Sequence, residues 1–154
     1  DHRDLHSFPT RRSSDLELRK TLEEQITRLG LQDKVILTGF RNDVEKFLAG
    51  ADLFVLSSHL EGLCTSLLDA MWFSKPAVAT SVGGVVDVIQ HEKNGLLVEA
   101  KNPQALAESI ITCLGNVPLR ERLGVEARRT VEERFSAQSM VQGTMQVYQR
   151  MLGD

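Results

Sequence analysis

A parallel, doubly wound α/β sheet is the architecture this sequence predicts, and three observations predict it. Short apolar runs, several rich in β-branched residues, recur with room for a helix between them. The intervening segments carry apolar residues at helical spacing. Glycines follow several of the runs closely, where a parallel sheet turns into its crossover helices.

Taken in order, Leu18, Leu22, Ile26 and Leu29 share one helical face, and Gly30 supplies the stop. Lys34–Gly39 contains a short strand, Val35–Thr38, that ends in glycine. Asn42 or Asp43 caps a short helix expected to turn Val44, Phe47 and Leu48 inward. Leu53–Leu56 is a continuous apolar run, as a strand buried on both faces requires. The loop Ser57–Cys64 leads into a helix over Thr65–Phe73. The next strand is Pro76–Thr80, and Gly83-Gly84 opens a short helix through Val86 and Ile89. Asn94-Gly95 turns the chain into a strand over Leu96–Val98.

Three helices follow. Asn102 caps the first, with Pro103 in its first turn and Gly115 at its end. Pro118 opens the second, whose inward face carries Leu119, Leu123, Ala127 and Val131. Ser136 caps the third, which runs through Met140, Val147 and Met151. Leu106, Ile110 and Leu114 read as a core stripe, and the Trp72-Phe73 pair as core or a domain contact.

Composition narrows the function classes. The 154 residues are 42% hydrophobic and 25% charged, the profile of one globular domain. A net charge of −3 leaves no electrostatic footprint for nucleic acid, and Arg128-Arg129 lies among Glu126, Glu132 and Glu133 as a solvated helix face. No apolar run approaches the ~18–20 residues of a membrane span. Cys64 and Cys113 have neither metal-ligand nor disulfide-framework spacing, so a reducing cytoplasm is expected.

Asp1–Leu16 stands apart. It has no helical or strand period, and it back-translates codon for codon into a text resembling a widely used DNA-sequencing adapter. It is expected to be a non-native tail that joins no sheet, leaving 17–154 as the folded domain. Its three Arg and three Asp cancel, so the charge stays at −3 without it. On this reading the natural text begins near Glu17, inside a gene.

In such a sheet, ligands bind beyond the carboxyl ends of the strands. The loops there are Gly39–Asn42, Ser57–Thr65 and Thr80–Val85. Gly62 allows a ligand close to the backbone. The amides of Leu63, Cys64, Thr65 and Ser66 open a helix and, with its dipole, form an anion site. Asp69, about one turn on, has a carboxylate suited to the vicinal hydroxyls of a ribose, and Glu61 can serve a sugar in the same way. These features suggest a phosphate between two hydroxyl-bearing groups. They fit equally an ordinary helix start flanked by solvated acids.

The stretch EGLCTSLLDAMWFSKPAVATSVGG, followed by HEKNGLLVEAKNPQALAESI and ERFS, resembles the donor-binding, Rossmann-like C-terminal domain of family 4 (group 1) glycosyltransferases of GT-B fold. The resemblance covers essentially 17–154. The family's motif is a Glu, seven residues, and a second Glu; here the pair is Glu61 and Asp69, one carbon shorter with the charge kept. The resemblance implies that Glu61 contacts the transferred sugar and acts in catalysis. It implies that Asp69 holds the ribose, that Gly62 and the amides of Leu63, Cys64 and Thr65 hold the diphosphate, and that Gly39, Phe40 and Arg41 lie against the base. Cys64 stands where a glycine is frequent, and Trp72 and Phe73 where small residues are usual.

The implied reaction is retaining transfer from a nucleoside-diphosphate sugar, with neither metal nor cofactor. A basic Arg/Lys pair upstream of Glu17 and the helix amides would neutralise the leaving group. The resemblance also implies a sheet in the order 3-2-1-4-5-6. Val35–Thr38 would be its strand 3, and Leu53–Leu56, Ala77–Thr80 and Leu96–Val98 its strands 4 to 6. Strands 1 and 2 would be missing from the middle, leaving the sheet incomplete at its N-terminal strands, marginally stable and inactive alone. The acceptor site, and any peripheral membrane association, would belong to a missing N-terminal domain.

Two other readings are a sugar-nucleotide epimerase of the same fold and a non-catalytic nucleotide-sugar-binding module. Retention of acids at both 61 and 69 favours the transferase over the module. Cys64 with His59 as nucleophile and base lacks an orienting partner. Asp87 either meets ligand or decorates its helix, and His91 beside Glu92 reads as a surface histidine.

Overall fold

The computed structural model describes residues 10–153, with side chains from Leu18 onward. The chain divides into two units, Asp1–Asn42 and Asp43–Asp154.

The first unit is built on helix α1, Thr10–Arg28. Its end is closed as expected at Gly30, which takes φ +66°. Leu31 N donates to Ile26 O at 3.0 Å and Gly30 N to Thr27 O at 3.1 Å, the paired bonds of a Schellman stop. Two expectations change here. Thr10–Leu16 is helical and outside any sheet, whereas no helical period was expected of it. Nothing between Thr10 and Leu16 is Gly or Pro, and extending a formed helix costs far less than nucleating one. The rest of the expected tail, 1–9, lies outside the described residues. Val35–Thr38 forms no strand. Its first amide is spent on a local turn, Val35 N to Leu31 O at 3.0 Å, and Ile36 is 84% exposed. A strand is defined by its ladder partner, and among the described residues this segment has none.

The second unit holds the sheet. Strands β1 (Phe54–Leu56), β2 (Ala77–Thr80) and β3 (Leu96–Val98) are parallel in the order β1-β2-β3. Val55 sits opposite Val78, and Ala79 opposite Leu97. β2 is central and buried along its whole length. The period-two alternation of strand side chains divides the core into two layers. Ala77 and Ala79 face helices α3 (Thr65–Trp72), α4 (Val85–Val88) and α6 (Val117–Arg134) through Leu67, Met71, Val85, Val88, Ala127 and Val131. Val78, Leu96 and Val98 face α5 (Pro103–Gly115) and Leu123 on the other side. Helices on both faces make the sheet doubly wound, as predicted.

Side-chain caps set the later helices. Asn102 Oδ1 accepts from Ala105 N at 3.0 Å, and Asn116 Oδ1 from Leu119 N at 3.0 Å. Ser136 Oγ accepts from Ser139 N at 3.2 Å to start α7, Ala137–Leu152. Gly124 lets α6 close on the end of α3, since a Cβ there would lie 2.2 Å from Ser74 O. The short helix α2, Val44–Gly50, buries only Leu48; Val44 and Phe47 stay nearly half exposed instead of turning inward.

Candidate functional site

Parallel strands place all their carboxyl ends on one rim. The loop after β1 and the loop after β2 meet there, and the contact is made by backbone. Gly84 N donates to Glu61 O at 3.3 Å. A Cβ on Gly83, at φ +45°, would fall 1.8 Å from Glu61 O, and one on Gly84 would fall 2.4 Å from Gly62 O. Only glycine fits at either position, so the pair read from sequence as the start of a short helix is also the seat of Glu61.

A side-chain framework reinforces the seat. Thr80, 4% exposed at the end of β2, donates through Oγ1 to Ser58 O at 2.6 Å. Ser58 Oγ in turn donates to Glu61 Oε2 at 2.8 Å. Glu61 is half-buried. Ser58 and Thr80 escaped the sequence reading. The available signal was a hydroxyl ending an otherwise aliphatic buried strand, because buried hydroxyls are found hydrogen-bonded.

Gly62 has open space where a side chain would stand, and Leu63 is 65% exposed. Cys64 is buried at the N-cap of α3. Its carbonyl accepts from Leu68 N at 3.3 Å, so the amides of Thr65, Ser66 and Leu67 precede the first intrahelical bond. The Cys64 thiol meets Ser66 Oγ at 3.3 Å, whereas His59 is exposed, which leaves the nucleophile-and-base pairing without support. Asp69 is exposed on α3, whose buried residues are Leu67, Ala70 and Met71.

The structure therefore gathers Ser58, Glu61, Gly62 and the opening of α3 on one rim. Gly39, Phe40 and Arg41 belong to the first unit, where Gly39 has φ +65° and Phe40 is 94% exposed. Asp87 is exposed, and its carbonyl accepts from Arg134 Nη2 at 3.1 Å. His91 is exposed, as expected, but its Nδ1 accepts from Leu97 N at 3.0 Å and closes the turn into β3. Trp72 is 46% exposed, with the Arg128 guanidinium 4.0 Å above its ring.

A separate cavity of about 570 Å3 lies beside the His91 turn, between α5 and α6. It carries both signs of charge, Glu108 and Arg122 among them, and Arg122 is engaged with Glu92 O at 2.9 Å. It lacks the run of free helix amides that the strand-end rim offers. Among the described residues, no group of three His, Cys, Asp or Glu side chains could hold a metal ion.

Known proteins resemble the chain in both sequence and fold. The family model "Glycosyl transferases group 1" matches residues 15–130. The chain is 32% identical over 134 residues to N-acetyl-alpha-D-glucosaminyl L-malate synthase of Bacillus anthracis, covering 87% of this chain and 35% of that protein. It superimposes on Anabaena Alr3699/HepE in complex with UDP with a TM-score of 0.82 at 30% identity, covering 88% of this chain and 37% of that one. A second solved structure is the C-terminal domain of a group 1 glycosyl transferase, LpcC, from Francisella tularensis. Its TM-score is 0.74 at 28% identity, covering 80% of this chain and 65% of that domain's chain. The chain spans about a third of the length of the curated relatives it matches.

Proposed function

The chain belongs to the group 1 glycosyl transferases, and from that premise we propose that it is the donor-binding half of an enzyme transferring a sugar from a nucleoside diphosphate. The observation that carries the reading is the joint placement of Glu61 and the free amides at the start of α3 on one strand-end rim. The diphosphate sits on the amides of Leu63, Cys64 and Thr65, beside Gly62, where fixed dipoles stabilise the departing charge without a metal. Asp69 accepts hydrogen bonds from the ribose. Glu61 contacts the transferred sugar, and transfer retains the anomeric configuration.

UDP bound to the Anabaena relative supports a nucleotide donor here. Relatives about two and a half times as long support an acceptor-binding part outside this chain. This chain alone is accordingly expected to bind donor without transferring it. Its two buried free thiols fit a cytoplasmic setting, and no helix among the described residues is long and apolar enough to cross a membrane.

The test is a pair of substitutions in the full-length enzyme. Glu61→Gln is expected to lower kcat roughly a hundredfold while changing UDP affinity little. Asp69→Asn is expected to weaken UDP binding by roughly tenfold, the worth of one charge-assisted hydrogen bond. Small and equal effects of both on turnover and binding would leave the two acids as solvated surface groups and end the proposal.

A further inference from the structure

We infer that Ser58 is a positioning residue for the Glu61 carboxylate, holding Oε2 so that Oε1 is the oxygen presented to the donor sugar. The inference rests on the donor-site reading above and adds a residue to it. A glutamate in an exposed loop has several rotatable bonds to order, and ordering them during reaction raises the barrier. Here the carboxylate is already held, with Ser58 Oγ donating to Oε2 at 2.8 Å. The serine is not free to follow the glutamate. Its own carbonyl accepts from Thr80 Oγ1 at 2.6 Å, and Thr80 is buried at the end of the central strand. Glu61 is tied at its carbonyl to Gly84 N at 3.3 Å. Both ends of the span 58–61 are thus anchored on the chain leaving β2, and the Ser58–Glu61 bond closes the span through side chains. With one carboxylate oxygen committed to a hydroxyl, the other keeps its lone pairs for a sugar hydroxyl.

A bond that merely shapes the loop would, when removed, lower stability and donor affinity together. A bond that aims the carboxylate would, when removed, lower turnover and leave diphosphate binding alone. The experiment compares Ser58→Ala, Ser58→Thr, Ser58→Cys and Glu61→Gln in the full-length enzyme that carries this domain. It measures kcat and KM across a panel of nucleoside-diphosphate sugars, UDP affinity by calorimetry, and the melting temperature. Ser58→Ala is expected to lose roughly ten- to a hundredfold in kcat, with UDP affinity within about twofold of wild type. Ser58→Thr, which keeps the hydroxyl, is expected to recover most of that loss.

If Ser58→Ala melts early, Ser58→Cys decides, because it keeps the volume and offers only a weak donor. A folded Cys variant as slow as expected for Ala upholds the inference, and one as fast as wild type overturns it. A Glu61→Gln enzyme that is impaired beside a fully active Ser58→Ala enzyme overturns this inference alone. A wild type that turns over no donor, or a Glu61→Gln variant as active as wild type, removes the donor-site reading and this inference with it.

Discussion

Gly83 shows how one residue can hold a loop in place through its backbone alone. Its φ of +45° costs any other L-residue roughly 1–2 kcal/mol, and a Cβ there would fall 1.8 Å from Glu61 O. Gly83→Ala is therefore expected to lower stability by at least that amount and to push the 58–62 loop outward. A chemical melt and UDP calorimetry on the same variant would check both effects. Asn94 is the second such residue. It is 1% exposed, accepts from Gln90 N at 2.7 Å, and donates to Val88 O at 3.1 Å and Thr130 Oγ1 at 3.0 Å. Asn94→Ala removes three hydrogen bonds, one of them to the buried Val88 O, and is expected to cost about 1–3 kcal/mol, read as a lowered denaturation midpoint. In sequence, Asn94 was visible only as half of an Asn-Gly turn. Its bond to Thr130 joins residues far apart in the chain, and no local pattern announces that. The cysteines carry a different expectation. Burial pushes the Cys113 thiol up, only partly offset by Arg120, and Cys64 is buried as well. Both thiols should resist a disulfide reagent in the native state and react fully in denaturant; rapid native labelling of Cys113 would contradict the packing around it.

At the scale of elements, the ends of helices say most. Ser74 follows α3 at φ +56°, with Lys75 N donating to Ala70 O at 3.0 Å and Ser74 N to Met71 O at 2.9 Å. This is a Schellman stop that favours glycine but holds serine. Ser74→Gly is expected to raise stability by about 0.5–1 kcal/mol, as relief of the left-handed strain outweighs the added freedom of the unfolded chain. An unchanged or lowered melting temperature would refute it. The same logic explains which elements were legible. Leu96–Val98 was read to the residue and the strand at Ala77–Thr80 to within one, because short aliphatic runs set off by Asn94-Gly95 and by Pro76 mark buried strands. The caps at Asn102 and Ser136 were equally plain. The cap at Asn116 was not, because Pro118 drew the expected start two residues along. Val35–Thr38 has the composition of a strand but no ladder, and composition cannot report whether a partner is present. Thr10–Leu16 is the converse: it shows no helical period, but a helix already formed propagates through residues that include neither Gly nor Pro.

At the largest scale, among the described residues the sheet ends at β1, which pairs there with β2 alone, and Val55 on that strand is 40% exposed. Unpaired strand groups beside exposed aliphatic surface invite pairing with another copy. This chain is therefore expected to self-associate at micromolar concentration, and Val55→Lys should shift it towards monomer in sedimentation experiments. A wild-type chain that sediments as a monomer across that range would show the edge to be protected. In the candidate site, Glu61, Gly62 and Asp69 were legible as candidates by residue type alone. Its supports at Ser58 and Thr80 were not, since they depend on which loops the sheet brings side by side.

That β2 is buried along its whole length has a kinetic consequence. Amides on such a strand trade their protons with solvent only when the entire domain opens, whereas loop amides ordinarily exchange by small local excursions. The Glu61 loop is fastened to what leaves this strand, through Thr80 and through Gly84 N. Gly84 should therefore exchange deuterium far more slowly than its position in a turn suggests, with a rate closer to that of Val78 than to that of exposed Leu60. The proposed donor loop would then keep time with the centre of the sheet, and its shape would persist for as long as the fold itself does.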